Sequence, residues 1–322
     1  MIPGIDREVS TETLPLTCGI CAVVVTFNRR ELLRECLASL LVQTRVPDHI
    51  AVIDNHSTDG TLEMLRSEFE NLETGPGITI LPLGENRGGA GGFAAGFDWA
   101  HNNGFDWIWV MDDDIEMMPG TLEMLLSYRE VSEFIQCRRK TRDSELILDS
   151  LWDVSAGSAA HPHSRVMHEN GRRPWLSVQW GNFEGALIHR SVVDQIGLPD
   201  ERFFIGGDDS TYGLEASFHT NVIYVKEYGV QRKLELPVRR SRLGHYLMLR
   251  NRFLIRQHLV KLGFSVHPVV FWASQMVSLG WVVKSVVRDA GEGRKMLMIG
   301  AVLQGIWDGA RGRFGRPGFL RA

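Results

Sequence analysis

Several things are scarce in this chain, and each absence narrows the reading. Four cysteines in 322 residues are too few for a disulfide framework. The apolar and charged shares, 44% and 23%, exclude wholesale disorder and allow an ordinary globular core. The first sixteen residues carry Asp6, Glu8 and Glu12 and lack the basic and apolar regions of a secretory signal, so a cytoplasmic location is expected. No glycine-rich stretch ends in Gly-Lys-Ser/Thr, which excludes a Walker loop, and no serine stands in a nucleophile elbow. No nucleic-acid-binding motif is present, and no nucleic-acid partner is expected. The longest stretch without Lys, Arg, Asp or Glu, Leu262 to Val283, is broken by Ser265, His267, Pro268, Ser274, Gln275 and Ser278. That favours a buried or interfacial helix over a membrane span.

The formal net charge of −4 hides an asymmetry. Residues 226–322 hold eighteen Lys and Arg against five Asp and Glu, whereas residues 1–225 hold seventeen against thirty-four. An acidic front and a basic rear imply two jobs, the rear facing something anionic. The basic residues flanking the uncharged stretch, Lys284, Arg288, Arg294, Lys295, Arg311, Arg313 and Arg316, suit an anionic lipid surface. A soluble helical cap with a solvated basic face is the alternative.

Strand and helix signals alternate in the front. Ile20–Thr26, His49–Asp54, Ile78–Leu83 and Trp107–Met111 read as buried strands. Arg30–Gln43, Thr61–Phe69, Phe93–His101 and Pro119–Arg129 read as helices, with Thr58 or Asp59 capping the second. This alternation predicts an α/β domain with a mostly parallel sheet covered on both faces. Further on, Trp180–Arg190 reads as a strand and Ser191–Ile196 as a short helix. Three helices are predicted at the rear: Tyr246–Leu262, Val266–Asp289 and Arg294–Ala310. The organisation is a tail over 1–17, an α/β domain over 18–242 and a helical region over 243–322.

Polar clusters fall at the carboxyl ends of the predicted strands, where ligands sit in such sheets. Asp112-Asp113-Asp114 follows a hydrophobic strand. Adjacent carboxylates repel, and a hard divalent cation, Mg²⁺ or Mn²⁺, would make them compatible. Alternation along a strand puts Asp112 and Asp114 on one face and Asp113 on the other. Gly84–Phe93 (GENRGGAGGF) reads as a loop before a helix, suited to close backbone approach by an anion. Asp54 is placed to bind a base or ribose, or to close a turn on its own backbone. Asp208 and Asp209 offer a general base, a helix cap, or one of each. Trp175, Trp180 and Phe183 are candidates for a sugar-stacking platform. Cys18-Gly-Ile-Cys21 leads into a strand rather than a helix and is not read as a redox site. His161, His163 and His168 read as a polar loop.

Taken in order, AVVVTFNR (22–29), QT (43–44), VIDNHSTDGT (52–61), GENRGGAGGF (84–93), WVMDDDI (109–115) and FFIGGDDSTYGLEA (203–216) resemble the inverting family 2 glycosyltransferases. Within that family they resemble most the bacterial galactofuranosyltransferases, with rhamnosyltransferases as neighbours. The resemblance covers roughly 20–260 and implies a GT-A fold. It implies donor contacts at Thr26, Asn28, Arg29, Asp54, Asn86, Arg87, Gly88, Gly89 and Asp113. Asp112 and Asp114 would serve a Mn²⁺ or Mg²⁺ ion, Asp209 would be the base with Asp208 beside it, and Trp180 and Phe183 would meet the acceptor. The implied partners are a nucleotide-sugar donor, a lipid-linked saccharide acceptor and the inner face of the membrane, with homo-oligomerisation left open. YLMLRNRFL (246–254) resembles a Tyr-x-x-x-Arg-Asn stretch that follows the catalytic domain in relatives. Two departures stand out. Relatives place a metal-binding His about twenty residues after the base, where this chain reads IYVKEYGVQRK (223–233), leaving Gln231, His245 or water to complete the shell. Glu215 stands where an Arg is common.

Overall fold

Strand β1 (Ile20–Thr26) is buried along its whole length, and the two faces of its pleat enter different cores. Ile20, Ala22 and Val24 join one that includes Leu33, Leu37 and Leu40 of α1 (Arg30–Leu41) and Leu65 of α2 (Thr61–Glu68). Cys21, Val23 and Val25 join the other, with Phe93 and Phe97 of α3 (Gly88–Asn102). A strand covered by helices on both sides needs no polar face, which is why the sequence is a continuous apolar run. In the computed structural model the described residues are 19–69, 74–141, 151–153, 163–165, 173–234, 241–289 and 295–320. The expected tail over 1–17, Cys18, His161 and His168 lie outside them.

Strands β2 (His49–Asp54), β3 (Gly77–Pro82) and β4 (Trp107–Asp112) run parallel to β1 in the order β3-β2-β1-β4. After the acidic triplet come β5 (Ile115–Met117), α4 (Thr121–Leu126), β6 (Phe134–Lys140), the separate pair β7 (Leu151–Asp153) and β8 (His163–Arg165), β9 (Trp175–Ser177), β10 (Ala186–His189), α5 (Arg190–Ile196), α6 (Asp208–Ala216) and β11 (Val222–Arg232). The sheet continues β4-β10-β6-β11-β5, with β10 antiparallel to β4 and β6, β5 antiparallel to β11, and β9 also on β11. This is the GT-A arrangement: a mostly parallel sheet with a mixed second half.

The rear forms α7 (Arg242–Lys261), α8 (Pro268–Asp289) and α9 (Lys295–Ala310). Glycines that argue against a helix in the sequence let α9 approach α7. A Cβ on Gly305 would lie 2.4 Å from the Tyr246 carbonyl oxygen, and one on Gly309 2.4 Å from the Phe253 ring. Among the described residues no helix is long and apolar enough to cross a membrane.

Most element boundaries shift by a few residues from expectation, and two shifts bear on the site. The glycine-rich stretch is largely the start of α3, which begins at Gly88 rather than near Phe93. Its glycines bring the helix onto β1: a Cβ on Gly92 or Gly96 would meet Val25 or Val23 at 2.5 and 2.2 Å. The strand expected over Trp180–Arg190 is reduced to Ala186–His189. Gln136 accounts for the difference, because it donates to the Trp180 carbonyl and accepts from the Asn182 backbone and side-chain amides at 2.8–3.0 Å. Those bonds bend the chain out of the sheet.

Candidate active site

Parallel register brings the carboxyl ends together: Thr26 lies beside Asp54, and Val25 beside Asp112. Beyond β4 the chain turns instead of continuing as a strand, so the expected alternation of the three aspartates fails. Asp113 is buried and accepts from the Thr26 hydroxyl at 2.7 Å and Arg29 at 2.9 Å. Arg29 also pairs with Asp114 at 3.0 Å. Asp113 and Asp114 therefore share one cation, while Asp112 feels a different neighbour. Desolvation, then the Asp114, Glu184 and Asp113 carboxylates, push the Asp112 pKa well above the usual range, against the pull of Arg29. Burial also raises Asp113, with Arg29 and Thr26 opposing it.

On the other side of β1, Asp54 accepts from the Ser57 N–H at 3.1 Å, the local turn its residue type favours. Asn28, with φ of 52°, donates its N–H to Ser57 and accepts from the Thr58 N–H at 2.9 and 2.7 Å. Asp59 accepts from the N–H groups of Arg30 and Thr61, each at 3.1 Å. It thus serves the N-termini of α1 and α2 together, and it does so from outside the helix, since Gly60 holds the cap position.

Asn55, unremarkable in the sequence, fixes the start of α3. It accepts from the Arg87 N–H and donates to the Gly88 carbonyl, each at 2.8 Å. Asn86 accepts from the Gly88 N–H at 2.8 Å, and Gly89 lies in the same first turn. Arg87 pairs with Glu201. Gly88 has φ of 72°, and a Cβ there would come within 2.0 Å of the Phe204 carbonyl oxygen. Ala90 donates to that same oxygen at 3.1 Å. The glycine-rich segment is therefore locked to the loop that delivers the second acidic cluster.

That loop is strained and held from behind. Phe204 has φ of 66°, and Gly206 and Gly207 are also left-handed; such backbone persists only where surroundings over-determine it. Arg250, fully buried, donates to the carbonyls of Phe203, Arg202 and Gly315 at 2.6, 3.1 and 2.5 Å. Asn251 donates to those of Phe203, Ile205 and Gly206 at 2.8–3.1 Å. Tyr246 anchors the same helix through Asp308 at 3.0 Å. The Tyr-x-x-x-Arg-Asn stretch is thus a brace for the acidic loop. Asp208 and Asp209 occupy the first turn of α6 after Gly207, so neither is the cap residue itself. Burial raises both pKa values, and Asp209 raises Asp208 further. On Asp209, the Ser210 N–H and hydroxyl counter the rise, Glu184 adds to it and Arg139 opposes it.

Glu184 is the residue that sequence reading missed. It is nearly buried, pairs with Arg139 at 2.7 Å and with Arg232, and influences both Asp112 and Asp209. No local pattern marks it, because its partners come from β6 and β11. Trp180 and Phe183, expected at the acceptor, are placed differently. They are 6% and 2% exposed, and Phe183 packs against Phe93, Phe97 and Tyr212. Neither ring face is open to a sugar, because both complete the core above α3. Glu215, the second departure, pairs with His258 at 2.6 Å.

The donor set at Asp112 and Asp114 fits a hard divalent cation that takes its other ligands from diphosphate and water. The residues expected to offer a third ligand lie on two elements. Gln231 lies in β11 opposite Glu116, and His245 is buried in the first turn of α7. Among the described residues no group of three or more His, Cys, Asp or Glu is arranged to hold a metal ion.

Residues 21–197 match the family model "Glycosyl transferase family 2". Galactofuranosyltransferase GlfT1 of Mycolicibacterium smegmatis is 35% identical over 199 residues, 59% of this chain and 62% of that protein. GlfT1 of Mycobacterium tuberculosis H37Rv is 33% identical over 207 residues, 60% and 63% respectively. The matched region thus spans less than two thirds of these relatives. N-acetylglucosaminyl-diphospho-decaprenol L-rhamnosyltransferase of the same species is 27% identical over 234 residues, 63% of this chain and 70% of that protein. Among solved structures, S. aureus TarS 1-349 in complex with UDP-GlcNAc shares the fold. Its TM-score is 0.57 at 13% identity, covering 89% of this chain and 81% of that one. GalNAc-T7 with UDP, GalNAc and Mn²⁺ gives a TM-score of 0.57 at 14% identity, over 72% and 47%.

Proposed function

Because the chain belongs to glycosyl transferase family 2, we propose that it transfers galactofuranose from UDP-galactofuranose, with inversion, to a lipid-linked or polysaccharide acceptor of the bacterial cell envelope. The observation that carries the reading is the convergence of the Asp112–Asp114 turn, the Asn55-clamped α3 start and the braced Asp208–Asp209 loop on one end of the sheet. The similarity to GlfT1 supports the donor. The nucleotide lies against Thr26, Asn28, Arg29 and Asp54, with Asp113 and the first turn of α3 along the sugar diphosphate. The positive end of the α3 dipole favours the phosphates there, since Arg87, Gly88 and Ala90 spend their N–H groups on Asn55, Asn86 and Phe204. Mn²⁺ or Mg²⁺ at Asp112 and Asp114 would neutralise the departing diphosphate.

Asp209 takes the acceptor hydroxyl proton as that oxygen attacks the anomeric carbon from the face opposite the leaving group. Its raised pKa makes it a better base than an exposed carboxylate. Asp208 stands beside it in the first turn of α6. The acceptor works at the inner membrane face, where the basic rear holds the enzyme as a peripheral protein.

The test is release of UDP from UDP-galactofuranose with a bacterial lipid-linked acceptor fraction, with Mn²⁺ or EDTA, in wild type and Asp209→Ala. Metal-dependent release that falls about 10²–10⁴-fold in the variant is expected. Turnover of dTDP-rhamnose alone would move the donor to the rhamnosyltransferase reading, which has the 27% identity to that enzyme behind it. UDP binding without turnover of either donor would make the chain a catalytically impaired nucleotide-sugar-binding subunit.

A further inference from the structure

Helix α8 is apolar on both sides. Its protein-facing side buries Phe271, Val282 and Val286 beside Ser274, Gln275 and Ser278: Gln275 is fully buried, and Arg252 donates to the hydroxyls of Ser274, at 2.9 Å, and Ser278. Its solvent side carries Val269, Trp272, Met276, Val277, Trp281 and Val287. These recur at helical spacing along one stripe. Helix α9 does the same with Met296, Leu297, Leu303 and Trp307. Trp281 is 69% and Met296 80% exposed. The polar interruptions in the sequence of α8 therefore do not break its outer face.

We infer that the outer faces of α8 and α9 together form a monotopic surface that lies flat in the headgroup region of an anionic bilayer. The inference rests on the proposed lipid-linked acceptor and names the surface that meets its membrane. A soluble protein does not leave so continuous an apolar face uncovered without a partner. Charge selects lipid over a second copy. Lys284 lies 5.7 Å over the Trp281 ring and Arg311 3.7 Å over that of Trp307, and Arg313 is exposed nearby. The carboxylates of α8 and α9 are Asp289, at the last position of α8, and Asp308, which is buried against Tyr246. Two such cationic rims would repel in a symmetric dimer, whereas anionic headgroups attract them. Tryptophan beside a long cationic side chain suits the boundary between acyl chain and headgroup. The 22 residues of α8, about 33 Å of helix, lie in the plane because the inward side is packed on α7 and α9 through Phe271, Val282 and Val286 and held by Arg252.

The test is co-sedimentation of the full chain with vesicles of phosphatidylcholine alone or mixed with phosphatidylglycerol. Wild type and the triple variant Trp272→Ser, Trp281→Ser, Trp307→Ser are compared, with circular dichroism to check folding. Wild type is expected to bind the mixed vesicles, and the folded triple variant to bind at least tenfold more weakly. Equal binding by both proteins, or binding of wild type to neither vesicle, overturns the inference. So does a wild-type dimer in solution that ignores vesicles and dissociates in the variant. UDP-dependent thermal stabilisation on the same samples keeps the donor reading separate. Vesicle binding without it would sink the donor and leave the surface standing.

Discussion

The sheet domain covers its apolar residues, whereas the helical rear leaves many of its own exposed. Around β1, apolar side chains point inward from both faces and the polar residues gather at strand ends. In α8 Ser274, Gln275 and Ser278 lie inward beside Phe271, Val282 and Val286, while Val269, Trp272, Met276, Val277 and Trp281 face outward. Both arrangements obey the same physics, because the hydrophobic effect places apolar surface away from water without specifying what covers it. The difference teaches that residue polarity alone does not identify the buried face of a helix. The partners of the inward side chains do.

The comparison breaks most sharply at the charged centre of the sheet domain. Glu184→Gln should leave Arg139 and Arg232 without their carboxylate. Removing one partner of a buried pair costs about 3–5 kcal/mol, so a large loss of stability in denaturant unfolding is expected. An unchanged midpoint would mean that the pair is not buried in solution. Next, Gly88→Ala sets a Cβ against the Phe204 carbonyl in a left-handed backbone. Strain of that kind is worth about 1–3 kcal/mol, and transfer should suffer as the Asp208–Asp209 loop shifts. Asn251→Ala removes three hydrogen bonds to that loop. Turnover is expected to fall more than donor affinity, and Asn251→Asp should not restore it, since a carboxylate cannot donate to carbonyls.

The joint between the two regions sharpens the contrast through pH. His258 bridges Asp200 at 2.9 Å and Glu215 at 2.6 Å, with Lys261 on Glu215 and Arg202 on Asp200. Burial lowers the His258 pKa, but its two carboxylate partners more than offset that and raise it above its ordinary value. A raised histidine contributes stability that is full below its unfolded pKa and is lost as pH rises through the folded one. The same partners lower Asp200 and Glu215 despite burial, so their contribution is lost as acid protonates them. The stability advantage of wild type over His258→Gln, read from melting temperature against pH, should shrink at both ends. A difference that is flat from acid to mild alkali would refute the bridge. The smallest expected effect is in the rear: Trp281→Ser alone should move the melting temperature little, because that ring is exposed. A large drop would show that the Trp281 ring is buried by packing instead.

Much of the sheet domain was legible because its local signals and tertiary context agree. Strand β1 and β2 match their predicted bounds, since a strand buried on both faces is written as a bounded apolar run. The acidic clusters were legible as chemistry because adjacent carboxylates carry a repulsive cost that needs compensation. Their individual directions were not. A turn after Asp112, rather than a continued strand, put Asp113 and Asp114 on one arginine. Trp180 and Phe183 looked like a platform because sequence proximity to an acidic cluster says nothing about which way a ring faces.

By itself the sequence determined the alternating α/β order, the strand ends at which polar residues collect, the acidic residues proposed here as base and cation ligands, and the basic charge of the rear. These follow from periodicity, chain propensity and side-chain chemistry, all of which act locally. Only the tertiary structure decided that Asn55 clamps α3, that Arg250 and Asn251 brace the loop before Asp209, that Glu184 sits between Arg139 and Arg232, and that α8 turns its serines inward. Each of these joins residues far apart in the chain, and packing and desolvation select such pairings only once the elements have met.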